Sequence, residues 1–286
     1  MQNGQKLWSY NTGSAGYETP YGVWTLWTFT CGTVADNKFF VPEGHMYSPP
    51  LFHNAQQLAL NTTNGEVVWS IDAFDVTSAP AISDGIMTTL NAYDNQIYAW
   101  GKGPTAMTVT APDVGVTTET PVVIRGTITD ISAGTKQQAQ AANFPYGVPC
   151  VSDASQKEWM EYVYMQQPSP TNATGVPIAI NVLDANGNFR QIGQTTSLPD
   201  GTFHLTWTPD ITGDYIVTAI FAGSEAYYST SAGTSFYASN PAPTASPAPA
   251  PATSVTDQYF VPAVTAIIIV IIIVGALIIL LQRKRP

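Results

Sequence analysis

The chain has 286 residues, with 22 Gly, 22 Pro, 11% aromatic and only 10% charged residues. That composition suits short strands and turns in two modest domains better than charged surface helices. The formal charge is −10, and three of the ten basic residues are Arg283, Lys284 and Arg285, so the rest sets seven basic groups against twenty acidic ones. Nucleic acid is excluded as a partner, because its recognition needs a basic face.

The first hundred residues carry an internal echo. "NGQKLWSY" at the front and "NTTNGEVVWS" at Asn61–Ser70 place Asn-Gly and Trp alike. After the first Trp comes "VADNKFFVP", then "QLALNTTNGEVVW"; after the second comes "ISDGIMTTL", then "NQIYAWGKG". Each unit turns at an Asp, Asp36 or Asp84, into a strand-forming run, and a second strand follows. The spacing between those Asp residues is shorter than that between Trp8 and Trp69, and the aromatic segment "YETPYGVWTLWTFTCG" accounts for the difference as an insertion. A period of forty-odd residues built of short strands is the pattern of propeller blades. The alternative is a chance recurrence of Asn-Gly hairpins in an all-β chain. "LALNTTNGEVVW" and "SAPAISDGIMTTLNAYDNQIYAWGKG" resemble the repeats of pyrroloquinoline-quinone-type propellers. The resemblance covers about residues 1–103 and implies a partial propeller of about two blades. Propellers close with four to eight blades, so the remaining blades are expected upstream or in another chain.

From residue 104 the pattern changes. "AMTVTAP", "PVVIRGTITDI", "VPIAINVLDANGNFRQIG", "GTFHLTWTP" and "GDYIVTAIFAG" are strand-length runs punctuated by Gly, Pro, Asp and Asn, as in a β-sandwich. In "DITGDYIV", Asp210 and Gly213 precede Tyr215, which resembles the tyrosine corner of immunoglobulin-like folds. Val217 stands where antibody domains carry their second cysteine. The span 104–238 is similar to the immunoglobulin-like domains of archaeal surface proteins. "LDANGNF" fails as a calcium loop, since Phe189 and Thr195 occupy the places that need Gly and Glu; Asn186-Gly187 reads instead as a hairpin turn.

An insertion near 135–170 breaks the strand pattern. In "SDASQKEWMEYVYMQQP", Ser155 and Glu158 form a capping-box signature and Pro168 stops the run. A short helix there would align Trp159, Tyr162, Val163 and Gln166, to pack on the sandwich or to touch the propeller or a partner; "YVYMQQP" would also fit a strand.

Residues 239–258 form a Pro/Ala/Ser/Thr stalk, extended to at most roughly 60 Å and a candidate for O-glycosylation. "VPAVTAIIIVIIIVGALIILL" follows, 21 residues without a charge. At 1.5 Å per residue it covers roughly 31 Å, the thickness of a hydrocarbon core. Residues 259–282 are expected to cross the membrane, with the basic tail 283–286 in the cytoplasm and the body outside the cell. "MQNGQKLWSY" has neither the basic start nor the apolar stretch of a signal peptide, so a longer parent chain is expected.

An external body suits the sequons at Asn61 and Asn172, both candidate N-glycosylation sites. Cys31 and Cys150, in different expected domains, are a candidate disulfide. The quinoprotein resemblance implies, for an enzyme, calcium held by carboxylate and amide oxygens, an Asp base and often adjacent cysteines; here the cysteines are far apart. Glu43, His45 and His53 lie close in sequence, which suits a surface loop better than a metal site, and His204 alternates outward on a strand. With no GxSxG, P-loop or HExxH motif, no residue is assigned a catalytic, cofactor-binding or metal-binding role. The expected protein is an all-β, membrane-anchored surface protein for binding or structure, its partners being lipid and an extracellular protein or glycan. The alternative is the anchor end of a membrane-bound dehydrogenase dependent on pyrroloquinoline quinone and calcium.

Overall fold

The computed structural model describes residues 4–11, 32–43, 55–75, 79–243 and 254–284. Residues 1–241 form one compact unit and residues 242–286 another.

The first unit begins with two antiparallel meanders. β1 (Thr33–Ala35), β2 (Lys38–Pro42), β3 (Gln56–Asn61) and β4 (Val67–Asp72) pair in chain order. β5 (Ala81–Ser83), β6 (Ile86–Asn91) and β7 (Gln96–Trp100) repeat the first three steps as a three-stranded sheet. Asp36-Asn37 and Asp84-Gly85 make the first hairpin of each sheet, and all four residues have positive φ. Two left-handed residues match the right-handed twist of the flanking strands, and Asp, Asn and Gly tolerate that conformation best. Val41, Leu58 and Leu60 form a small core with Phe39 and Tyr10. The opening segment is anchored beside it: Trp8 Nε1 donates to the Thr62 carbonyl at 2.8 Å, and the indole lies flat over Gly65. Gly65 has φ 75°, and a Cβ there would sit 2.5 Å from the Trp8 ring, so glycine is needed both for the turn and for the close approach. The second sheet leaves Ile86, Leu90 and Ile97 exposed.

The rest of this unit is a sandwich. β9 (Val122–Asp130) lies between β8 (Thr105–Thr110) on one edge and β13 (Thr202–Trp207) on the other, where β10 (Val148–Pro149) also pairs with its end. The facing sheet runs β12 (Phe189–Thr196), β11 (Pro177–Leu183), β14 (Gly213–Phe221), β15 (Thr230–Ala238). Alternation sends Ile124, Ile128 and Phe203 from one sheet against Ile178, Ile180, Val217 and Phe221 from the other, all at most 1% exposed. Two sheets sharing one core, with a chain that crosses from one to the other, make an immunoglobulin-like β-sandwich. The tyrosine corner forms: the Tyr215 hydroxyl accepts from Ile211 N at 2.8 Å and donates to Asp210 Oδ1 at 3.1 Å. Val217 is fully buried at the position read as a cysteine replacement. Asn186-Gly187 is a hairpin turn between β11 and β12, in which Asp184 Oδ1 accepts from the Asn186 and Asn188 amides.

Between β9 and β11 come α1 (Gln138–Asn143) and α2 (Gln156–Met165). Trp159 and Val163 of α2 pack on Val148, Val151 and Ala173 in a second small core, whereas Gln166 is exposed in a left-handed conformation that ends the helix. "YVYM" is helical rather than extended. The capping box does not close: Ser155 is the N-cap, but its hydroxyl accepts the Thr174 amide at 3.1 Å instead of a helix amide.

In the second unit, α3 (Val255–Arg283) starts four residues before the expected span and carries Pro262 within it. Gln258–Arg283 is long and apolar enough to cross a membrane, and none of it is buried. Residues 244–253 of the predicted stalk lie outside the described residues.

Candidate functional site

β7 reads "QIYAW", and the period of two puts Tyr98 and Trp100 on one side of the strand. Their rings stack at 5.1 Å, and Trp69 of β4 meets Trp100 edge to face at 5.6 Å. Trp100 Nε1 donates to Thr89 Oγ1 at 2.9 Å, and the Tyr98 hydroxyl donates to Asp94 Oδ2 at 2.6 Å. These bonds fix both rings. Burial and the adjacent Asp94 carboxylate push the Tyr98 hydroxyl well above the usual phenol range, so it remains a donor.

Facing this aromatic wall is the helical insertion. Glu161 Oε1 accepts the Asp72 amide of β4 at 3.0 Å, Lys157 Nζ reaches Ser70 Oγ at 3.3 Å, and the Tyr164 carbonyl lies 3.4 Å from the Tyr98 hydroxyl. One face of α2 therefore packs on the sandwich while another holds the end of the first sheet. Burial raises the Glu161 carboxyl above the usual range, although the Asp72 amide opposes the shift.

Between the aromatic wall and the insertion is a cleft of about 1350 Å³. Gln140 and Gln156 line it. Gln140 Nε2 donates to the Val163 carbonyl at 2.8 Å, and Gln156 Nε2 lies 3.4 Å from the Tyr227 hydroxyl. The Oε1 of each is buried without a hydrogen-bond partner. An orphan buried carbonyl costs about 1–3 kcal/mol, so these two oxygens are unsatisfied polar atoms sealed beneath the lining of the cleft.

The residues singled out from sequence lie elsewhere. Asn172 is exposed, while Asn61 is half-buried at the end of β3 with its Oδ1 accepting the Thr63 amide at 2.8 Å. Cys150 is a fully buried free thiol, pushed up by burial; Cys31 lies outside the described residues. His45 and His53 also lie outside them. Glu43 is buried, and His204 is exposed on β13. Among the described residues, no three His, Cys, Asp or Glu side chains are grouped so as to hold a metal ion. Of the cleft's lining, Trp69, Tyr162 and Val163 were named from sequence, the last two on a helix face read as packing on the sandwich or touching the propeller or a partner, whereas Tyr98, Trp100, Gln140 and Gln156 were not singled out.

No protein family matches the chain by sequence, and no curated protein matches it. Among solved structures it is similar to one described as "Structures of Clostridium thermocellum CbhA fibronectin(III)-like modules", at 10% identity and a TM-score of 0.27, over 76% of this chain and 95% of that one. Likeness at that TM-score is too loose to carry function or fold detail, and the sandwich assignment rests on the strand order and the tyrosine corner.

Proposed function

We propose that the chain is a membrane-anchored cell-surface protein that binds a ligand or serves a structural role, its body outside the cell and its basic tail in the cytoplasm. The observation that carries this reading is α3, a 29-residue helix of almost wholly apolar sequence whose apolar span is entirely exposed. In water that surface is very costly, and in a bilayer it is satisfied. Arg283, Lys284 and Arg285 favour the cytoplasmic side for the tail. Protease added to intact cells should remove the body and spare a tag at the C-terminus; loss of the tag with survival of the body would reverse the orientation.

In the same reading, residues 1–103 are two quinoprotein-type propeller blades, the second stopping one strand short, and residues 104–238 the immunoglobulin-like module. Support for the blades comes from the matched order of β1–β3 and β5–β7, the paired Asp turns, and the exposed Ile86, Leu90 and Ile97, which suit a further blade of a parent chain or of another chain. Asn172, being exposed, is the better glycan acceptor of the two sequons. The alternative of a dehydrogenase anchor would need pyrroloquinoline quinone and calcium. Among the described residues, no three His, Cys, Asp or Glu side chains cluster, whereas a calcium ion held by side-chain carboxylates calls for such a group. Adding quinone and calcium to the full chain is expected to leave its melting temperature unchanged; a rise of several degrees at saturating quinone would favour the dehydrogenase.

A further inference from the structure

The two meanders follow one plan, and the second ends a strand early. Their first hairpins set a common register: Phe39 pairs with Leu60 as Met87 does with Trp100, and Val41 with Leu58 as Thr89 does with Tyr98. Leu58, Ala59 and Leu60 of β3 therefore correspond to Tyr98, Ala99 and Trp100 of β7. On β3 the outer edge is taken by β4, which sets Trp69 opposite Ala59 and Ile71 opposite Gln57. With β4 in place, Gln57, Leu58, Ala59 and Leu60 are at most 1% exposed.

β7 has no such neighbour. Among the described residues it pairs with β6 alone, and from Ile97 to Trp100 its backbone makes no bond on the other side. Ile97 is 77% exposed, and Ala99 is exposed as well. The cleft follows this edge. Ile97 and Ala99 line it together with Tyr98 and Trp100, and alternate residues of a strand point to opposite faces, so a cavity that touches both pairs runs along the edge between them. Free edges are normally blocked by a charge, a proline or a bulge. The sandwich edge at β12 has two of these, Arg190 and the unpaired Ile192. β7, "QIYAW", is uncharged, free of proline and regular in register.

Charge narrows the kind of strand that belongs here. Asp36 is answered by Lys38 at 2.6 Å, which leaves the lining with four carboxylates, Asp94, Asp130, Asp153 and Glu225, against two amines, Lys102 and Lys157. A second copy of this chain would bring the same acidic excess, whereas a basic segment is complementary.

We propose that β7 accepts a fourth, antiparallel strand from another protein, an extended segment that alternates apolar and basic residues. Its apolar side chains lie on the face of Ala99 and Ile97, placed as Trp69 and Ile71 are opposite Ala59 and Gln57. Its basic side chains lie on the face of Tyr98 and Trp100, where Asp94 accepts from the Tyr98 hydroxyl. Main-chain bonds along the five residues of β7, about 17 Å of edge, supply affinity, and the alternation supplies selectivity. The inference rests on the surface-binding reading above and gives it a partner class.

The test uses the full chain in phosphatidylcholine nanodiscs, with empty discs as the blank. The probe is a capped peptide, Lys-Val-Lys-Trp-Lys-Ile-Lys, titrated by calorimetry at low salt. It should bind one to one at micromolar concentration, and hydrogen exchange should slow in Gln96–Trp100 but not in β9. N-methylation of one alternate set of its residues should abolish binding and methylation of the other should spare it, because only one set aims its N–H groups at β7. Ala99→Arg puts bulk and like charge on an exposed position and should weaken binding about tenfold or more. Tyr146→Ala, at a site 94% exposed, should leave it unchanged. The proposal is overturned if the lysine peptide does not bind, if a version with glutamate for lysine binds as well, or if Ale99-type blocking has no effect, as shown by Ala99→Arg binding like the parent. Equal effects of the two methylated sets, or unslowed exchange in β7, overturn it too. So does a dimer of the chain alone that protects β7 and dissociates in Ala99→Arg, since the occupant is then a second copy. Any of these failures with the C-terminal tag still protected on intact cells leaves the membrane-anchored surface reading standing.

Discussion

Tyr215 and Asp75 mark two extremes of how a single side chain serves this structure. Tyr215 is fully buried with its hydroxyl doubly bonded, to the Ile211 amide and to Asp210, which also pairs with Arg190. It was legible in sequence, because the Asp, Gly and Tyr of the corner are local to one strand entry. Asp75 was not. It lies just beyond β4, where Phe74 N bonds Asn91 Oδ1 and the Ala92 amide bonds the Phe74 carbonyl, stitching the two meanders together. Its carboxyl is 0% exposed, and neither oxygen makes a geometrically sound hydrogen bond. Burial pushes it from 3.8 up to about 6, the Thr89 hydroxyl offsetting part of the cost and the Asp94 charge adding to it. Because the folded value is the higher, protonation favours folding. Stability from this group is complete below the unfolded value and is lost as pH rises through about 6, a cost on the order of 2–3 kcal/mol above it. Asp75→Asn should therefore melt higher than the parent at pH 8, with the gap narrowing towards pH 4. An equal gap at both values would show that the carboxyl is not buried at this cost.

Helix α2 is the element that turns a sandwich insertion into a structural link. The bulky apolar run in "EWMEYVYM" announces a packed segment, and Trp159 and Val163 do enter the small core. Its polar residues were the unreadable part. Glu161 and Lys157 look like ordinary surface charges until tertiary contact sets them against the end of β4, with Glu161 7% exposed. Glu161→Ala should lower stability by about 1–2 kcal/mol, the value of a charge-assisted bond to a backbone amide. Hydrogen exchange should then speed up at Val67–Asp72 more than in β9. Unchanged exchange in β4 would mean that the helix does not hold that strand. Ser155 teaches the same lesson from the other side, since its capping signature was plain but the nearby Thr174 amide takes its hydroxyl.

Across the whole molecule, one region needs no partner in the fold to declare itself. Deleting residues 255–286 should release the body into the aqueous phase, whereas the full chain should resist carbonate extraction; a truncated chain still held in membranes would point to a second attachment. The uncharged run from Val261 to Leu281 was sufficient from sequence because a bilayer selects on length and apolarity alone. Strand runs, Asp-turn hairpins and the tyrosine corner were equally legible, since each is written within a few consecutive residues. The cleft was decided only by tertiary structure. Trp69, Tyr98, Trp100, Gln140 and Gln156 come from two sheets and two helices, and no local pattern states that an amide oxygen will be buried without a donor. That outcome depends on which surfaces meet when the meanders and the insertion pack together, a balance of burial against unsatisfied polar groups struck between segments far apart in the chain.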